Sequence, residues 1–212
     1  MNTSLGHTIA GKLLDIEAIK LNLDNPFTWS SGWKSPIYCD NRLSLSYPDI
    51  RTYIKNGLVE AIKEKYSGVE AIAGVATAGI PQGALVAEAM GLPFIYVRSK
   101  PKGHGMENMI EGKATPGQKV VVIEDLVSTG GSSLKAAEAL KANSVEVLGM
   151  AAIFTYGFDL ADKNFKDAGI PLICLSNYNL LIEEALKRDY IKKDQIASLE
   201  AWREDPANWK KD

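Results

Sequence analysis

The amino-acid sequence predicts an α/β fold, a parallel sheet flanked by helices, on three observations. Short apolar runs recur along the chain, they are continuous rather than alternating with polar residues, and segments of helical periodicity separate them. A strand covered on both faces has no solvent side, so its residues are apolar throughout, and the crossover helices of a parallel sheet supply the cover. At 212 residues the chain suits a single domain spanning 1–212 with a small appendage, and buries roughly two thirds of its unfolded surface.

The elements follow in order. Ile9, Leu13, Ile16, Ile19 and Leu23 share one helical face and predict a first helix over that stretch. Residues 25–45, rich in Pro, Ser and aromatic side chains, break the alternation and are expected to form a cap or dimer surface. Ile50, Tyr53, Ile54, Leu58, Ile62 and Tyr66 mark a second helix, with Pro48 and Asp49 as its start signal. Apolar runs at 71–76, 94–97, 120–123, 145–154 and 172–175 read as strands, with helices at about 79–90 and 132–143 among them. The tail from Asn177 departs from the alternation again. Within it Ile196, Leu199 and Trp202 predict a last helix, which Asp205-Pro206 ends. The appendage is thus a cap or dimer surface within about 1–45, with part of 177–212 as its candidate extension.

Composition removes several function classes. Against 26 Asp and Glu stand 24 Lys and Arg, a net charge of −2, so nothing draws the chain to nucleic acid or an anionic membrane by bulk attraction. Two cysteines and two histidines would all be consumed by one four-ligand zinc site, and structural zinc is discarded. The longest apolar stretch, residues 147–154, is far short of the roughly 20 residues of a membrane helix. The first twenty residues lack a basic start, an unbroken apolar centre and a small-residue cleavage site. A cytoplasmic, reducing location is therefore expected, with Cys39 and Cys174 as free thiols. No repeat or low-complexity segment interrupts the chain.

In open parallel sheets ligands bind beyond the carboxyl ends of the strands. One such end combines the run Val120–Ile123, the acids Glu124 and Asp125, then Leu126-Val127, the loop Ser128-Thr129-Gly130-Gly131-Ser132, and a helix start at Ser133-Leu134-Lys135. Loop glycines let backbone N–H groups converge, and a helix N-terminus adds partial positive charge, so the loop suits a phosphate. Carboxylates cannot serve that phosphate; they suit sugar hydroxyls or indirect help to a Mg²⁺ ion, and a phosphorylated sugar satisfies both halves. The plain structural alternative is a capped turn with solvated strand-end charges. No Walker A loop is present, since Gly74-Val75-Ala76-Thr77-Ala78-Gly79 runs into Ile80-Pro81, and no Gly-x-Gly-x-x-Gly fingerprint occurs. A second segment, Arg98 to Gly105, places three fixed cations and His104 within seven residues beside Gly103, Gly105 and Gly112. It suits either a basic surface hairpin or a mobile lid over pyrophosphate.

VVVIEDLVSTGGS resembles the phosphoribosyl pyrophosphate (PRPP) signature of the type I phosphoribosyltransferases. The resemblance implies that Glu124 and Asp125 meet the ribose hydroxyls and that Leu126, Val127, Ser128, Thr129, Gly130, Gly131 and Ser132 grip the 5′-phosphate. FTWSSGWKSPIYCD, from Phe27 to Asp40, and RSKPKGHG, from Arg98 to Gly105, resemble the N-terminal segment and the mobile catalytic loop of the orotate phosphoribosyltransferases. The implied reaction moves a phosphoribosyl group from PRPP to N1 of orotate, giving orotidine 5′-monophosphate and pyrophosphate in pyrimidine biosynthesis.

By this resemblance Arg98, Lys100, Lys102 and His104 bind PRPP, and Mg²⁺ joins through PRPP rather than through a protein cage. Arg98, Lys102, His104 and Asp125 carry the catalysis, with Lys102 or His104 as proton donor to the leaving oxygen. The appendage within about 1–45 is a hood over the base, and backbone groups of Tyr38 and Cys39, together with Ser128, contact that base. Cys39 is thereby a packing residue, and Trp29, Trp33, Trp202 and Trp209 pack the hood and tail, while His7 is a solvated helix residue. The loop reaches into the neighbouring subunit's site, which implies a homodimer. Two departures stand out: Ser99 where some members carry a second Lys, with Lys100 one place on, and Thr77-Ala78 where some carry Tyr-Lys. Competing readings are a phosphoribosyltransferase for another base, a PRPP-sensing regulator that binds nucleic acid, and a non-catalytic phosphosugar-binding protein. The charge balance and the intact loop disfavour the regulator, and the lid cations disfavour the binding protein.

Overall fold

A computed structural model of the chain describes residues 3–29, 31–100 and 109–210. Helix α1 covers Thr3–Asp15 and strand β1 Ile19–Leu21, so the expected helix from Ile9 to Leu23 stops early. Glu17 takes a left-handed conformation at φ 55°, which ends the helical path. The spacing misled because Ile19 is buried in both arrangements; it enters the core from a strand. Short strands β2 (Phe27–Thr28), β3 (Lys34–Ser35) and β4 (Ile37–Cys39) follow, then a 3₁₀ turn over Asn41–Ser46. β1 pairs antiparallel with β4, Ile19 opposite Cys39, and β2 pairs antiparallel with β3. Helix α2 runs Pro48–Lys65, with Pro48 in the first turn, where no N–H is missed, and Asp49 beside it at the positive end of the dipole.

The remaining chain builds the sheet. β5 is Ala71–Val75, α3 Gly79–Met90, β6 Phe94–Val97, β7 Ile110–Glu111 and β8 Lys119–Val127; α4 is Gly131–Ala142, β9 Glu146–Thr155, α5 Asp159–Asp167, β10 Leu172–Asn177, α6 Tyr178–Lys187 and α7 Ile196–Glu204. The strand order is β10-β9-β8-β5-β6-β7, parallel throughout except for β7, which runs antiparallel on β6. The expected parallel sheet is present with one antiparallel edge. β8 is longer than its apolar run: Glu124 and Asp125 lie inside the strand, because β9 extends far enough to pair as far as Val127 opposite Thr155. α5 escaped the sequence reading because only Ala161 and Phe165 of its residues are buried, too few to show a stripe.

Two apolar clusters cover the two faces. Val121 and Ile123 pack with α1, α2, α6 and α7 on one side, while Val120 and Val122 pack with α4 and α5 on the other. The tail joins the first of these clusters rather than standing apart as an outer surface. Trp202 of α7 is fully buried and meets Trp29, Tyr156, Phe158 and Tyr178 with ring centroids 5.4–5.6 Å apart. Rings of this size each bury 150–250 Å² and favour such tilted and edge-on contacts, so the hood, the end of β9 and the tail close around one aromatic knot. No helix among the described residues is long and apolar enough to cross a membrane.

Candidate active site

Strand alternation gives the two acids of β8 different partners. Glu124 continues the even-numbered set toward α4, where its Oε2 accepts from the Ser133 hydroxyl at 2.8 Å and its Oε1 from the Asp125 amide at 3.0 Å. It is 5% exposed, and burial, reinforced by the charge of Asp125, pushes its proton affinity well above the usual carboxyl range. Asp125 continues the odd-numbered set, whose side carries the hood. Its carbonyl accepts from the Asn41 side-chain amide at 2.8 Å. Its carboxyl is also raised by burial, against hydrogen bonds from the Glu124 side chain and nearby amides and the charge of Arg42. Arg42 holds Asp40 through two bonds of 2.7 and 2.9 Å, which keeps the Asp40 carboxyl below its usual range.

The loop after β8 has the form of an anion seat. Gly130 is left-handed at φ 81°, and a Cβ there would stand 2.7 Å from the Phe165 ring, so only glycine fits. It precedes α4 without any side-chain cap, leaving the first-turn amides open, and Gly131 and Ser132 are exposed. Both ends of the loop are anchored: Thr155 Oγ1 donates to the Val127 carbonyl at 3.0 Å, and the Asn164 side chain to the Thr129 carbonyl at 2.9 Å. Ser128 and Thr129 are half-buried between these anchors, and Leu126 pairs with Phe154 in the ladder. On the other side of β8, α3 approaches so closely that a Cβ on Gly79 would stand 2.4 Å from the Ile123 carbonyl. Thr77 and Ala78 occupy the turn between β5 and α3, where the Ala76–Thr77 peptide bond is cis.

Arg98 follows β6 directly. Its amide donates to the Met109 carbonyl at 2.8 Å and its guanidinium meets Glu111 of β7 at 3.2 Å, while Lys100 is exposed. Lys102 and His104 lie outside the described residues. In the hood, Tyr38 is 41% exposed with its ring 5.6 Å from Phe27, and the Cys39 thiol donates to Asn41 Oδ1 at 3.5 Å. Burial, with the charges of Asp125 and Asp40, pushes the Cys39 thiol well above its ordinary value, which fits packing and not nucleophilic attack. Trp29 Nε1 donates to the Ile37 carbonyl at 3.2 Å, and Trp209 Nε1 to Ser198 at 3.3 Å, both packing roles as expected. Trp33 lines a cleft of about 350 Å³ with Thr129, Phe158, Leu160 and Arg203. His7 is half-exposed on α1, 3.3 Å from Glu183 and 3.5 Å from Glu184.

The structure thus brings Glu124, Asp125, Ser128, Thr129 and the hood residue Cys39 to one end of the sheet, with Arg98 at the end of the strand beside β5. Sequence reasoning missed Asn41, Ser133 and Tyr156. Asn41 acts across 84 positions and leaves no local signal; Ser133 had one, a hydroxyl in the first turn of the helix that follows the acids. Tyr156 lies just past the end of β9 with its ring 5.2 Å from Trp29, and burial followed by the charges of Cys39 and Asp125 raises its phenol. No group of three or more His, Cys, Asp or Glu among the described residues is arranged to hold a metal ion.

Comparisons with known proteins agree with this geometry. The phosphoribosyl transferase domain family matches residues 49–180. The chain is 61% identical over 203 residues to an orotate phosphoribosyltransferase of Cytophaga hutchinsonii, covering 96% of this chain and 97% of that one. It is 55% identical over 206 residues to one of Streptococcus pneumoniae, covering 97% and 98%. Among solved structures, orotate phosphoribosyltransferase from Aeropyrum pernix superposes with a TM-score of 0.74 at 29% identity, over 87% of this chain and 99% of that one. UMP synthase of Leishmania donovani superposes with a TM-score of 0.78 at 27% identity over 93% of this chain, which spans 42% of that longer protein.

Proposed function

The chain belongs to the phosphoribosyltransferase family, and within it to the orotate phosphoribosyltransferases, and on that premise we propose how its site performs the reaction. The reaction transfers the phosphoribosyl group of PRPP to N1 of orotate, giving orotidine 5′-monophosphate and pyrophosphate in de novo pyrimidine biosynthesis. One observation carries the reading: the acid pair of β8 and the uncapped N-terminus of α4 flank a single loop, under a hood bonded to Asp125 through Asn41.

The 5′-phosphate sits on the amides of Ser128 to Ser132, and Glu124 and Asp125 accept from the ribose hydroxyls. Departure of pyrophosphate leaves positive charge on the ribose ring, so the transition state has oxocarbenium character. Positioning and electrostatics then supply most of the acceleration, with little covalent work for the protein. Arg98, Lys100 and Lys102 face the leaving group, and Lys102 or His104 gives it a proton. Arg98, paired with Glu111 at 3.2 Å in the free site, exchanges that partner for pyrophosphate when PRPP binds. Mg²⁺ would arrive with PRPP and supply charge neutralisation on the departing pyrophosphate. The hood backbone at Tyr38 and Cys39, with Ser128, receives orotate. Two copies form a dimer in which each contributes its segment from Arg98 to Gly105 to the other's site. The whole chain from 1 to 212 works as one unit in the cytoplasm, where its two free thiols are stable.

The test is incubation with PRPP, Mg²⁺ and orotate, following the loss of orotate absorbance, with uracil, adenine, hypoxanthine and xanthine in parallel. Turnover of orotate alone is expected. No turnover with any base, despite measurable PRPP binding, would move the protein to the sensors and regulators.

A further inference from the structure

Glu124 is a buried carboxyl with both oxygens engaged, one by a backbone amide and one by Ser133. Ser133 is 1% exposed, while its neighbours Gly131 and Ser132 face outward, so its hydroxyl turns inward to the strand. A hydroxyl in a helix's first turn commonly bonds its own backbone; this one reaches the side chain of β8 at 2.8 Å. Helix α4 is thereby bonded to the carboxyl that precedes its loop by a contact spanning nine residues.

The groups facing the pair can be named element by element. β8 supplies Asp125, whose charge opposes ionisation of Glu124, and α4 supplies Ser133, whose hydrogen bond favours it. The 3₁₀ turn supplies Arg42, whose charge favours ionisation of Asp125. β4 supplies Cys39, and Tyr156 follows β9; both are un-ionised at neutral pH because burial raises them. α3 presents the backbone of Gly79. Among these only Ser133 hydrogen-bonds the Glu124 side chain from another element.

We propose that Ser133 is a positioning residue for the reaction: its hydroxyl holds the Glu124 carboxylate in the orientation and the ionised form that accept hydrogen bonds from the ribose hydroxyls of PRPP. This rests on the proposed function above. Removing the hydroxyl leaves a buried carboxyl one donor short. Its anionic form is then the more heavily penalised, so PRPP binding suffers first and suffers more at low pH. The orotate side of the site, built from the hood, is untouched.

The experiment compares wild type, Ser133→Ala, Glu124→Gln and the double variant for PRPP and orotate kinetics across pH, with PRPP affinity by calorimetry and thermal unfolding of each. Ser133→Ala is expected to raise KM for PRPP about tenfold, with kcat and KM for orotate within about twofold of wild type. The acidic limb of kcat/KM for PRPP moves up by about one pH unit. In the Glu124→Gln background, which has no carboxylate to keep ionised, the same substitution leaves the acidic limb in place and raises KM for PRPP by clearly less than it does in wild type. Ser133→Cys, similar in size with a weak donor, repeats the alanine shift and covers the case of a poorly folded alanine variant. Wild-type values in folded Ser133→Ala or Ser133→Cys, or equal impairment with and without Glu124, overturn the proposal. Absence of orotate turnover by the wild type would instead overturn the functional reading, and the calorimetric PRPP series would still decide the role of Ser133.

Discussion

Glu124 and Asp125 are neighbours in sequence with different surroundings, and the difference has a thermodynamic signature. Burial raises Glu124 above the ordinary carboxyl value of about 4.3. The unfolded chain releases this proton near that value while the folded chain holds it to higher pH. Over the window between them the native state binds more protons, so stability is fully present below the ordinary value and declines as pH rises through the raised one. Glu124→Gln abolishes the titration and keeps both contacts, its carbonyl accepting from the Asp125 amide and its NH₂ donating to Ser133. The variant is expected to gain on the order of 1–3 kcal/mol over wild type at pH 9 and little at pH 5, in urea unfolding without substrate. A constant difference at both pH values would refute the burial argument. The acids and the loop Ser128 to Ser132 were legible because their residue types, adjacent in sequence, state their chemistry. Asn41 and Ser133 were not, because an amide or a hydroxyl acquires its meaning only from the partner that folding brings to it.

The aromatic knot joins elements that the sequence presents as unrelated. Trp29 comes from the hood, Phe154, Tyr156 and Phe158 from the end of β9 and beyond, Tyr178 from α6 and Trp202 from α7. Trp202 touches four of the others, so truncating it opens a cavity beneath the hood. Trp202→Ala is expected to cost about 3–5 kcal/mol in denaturant unfolding and to raise KM for orotate more than KM for PRPP, since the phosphate loop has its own anchors at Thr155 and Asn164. Equal changes in both constants would place the effect outside the hood. The same elements show why the fold was readable in part. α3 and β6 match their expected bounds because helical periodicity ends at Gly91, which is left-handed at φ 67°, and a four-residue apolar run follows Pro93. β8 outran its apolar run because hydropathy stops at Ile123 while the ladder to β9 continues. The small hood strands depend on pairing with each other, and two- or three-residue strands have no period to detect.

For the whole molecule the outstanding issue is where the segment after Arg98 acts. The Arg98 amide donates to the Met109 carbonyl at 2.8 Å, and the cations Lys100 and Lys102 lie between these two residues in the sequence. If each segment serves the partner, Lys102 and Asp125 of one chain belong to different sites. Lys102→Ala and Asp125→Asn should each lower kcat by on the order of 10²-fold, since each removes stabilisation of charge in the transition state. Mixed in equal amounts and allowed to exchange subunits, half the dimers become hybrids in which one site carries both defects and the other neither. Activity should then recover to about a quarter of the wild-type value, as two-fold symmetry requires. A segment that served its own chain would give hybrids with two singly defective sites, and the mixture would stay at the parents' level. Recovery that tracks the rate of subunit exchange therefore establishes the shared site, and a flat time course at parental activity excludes it.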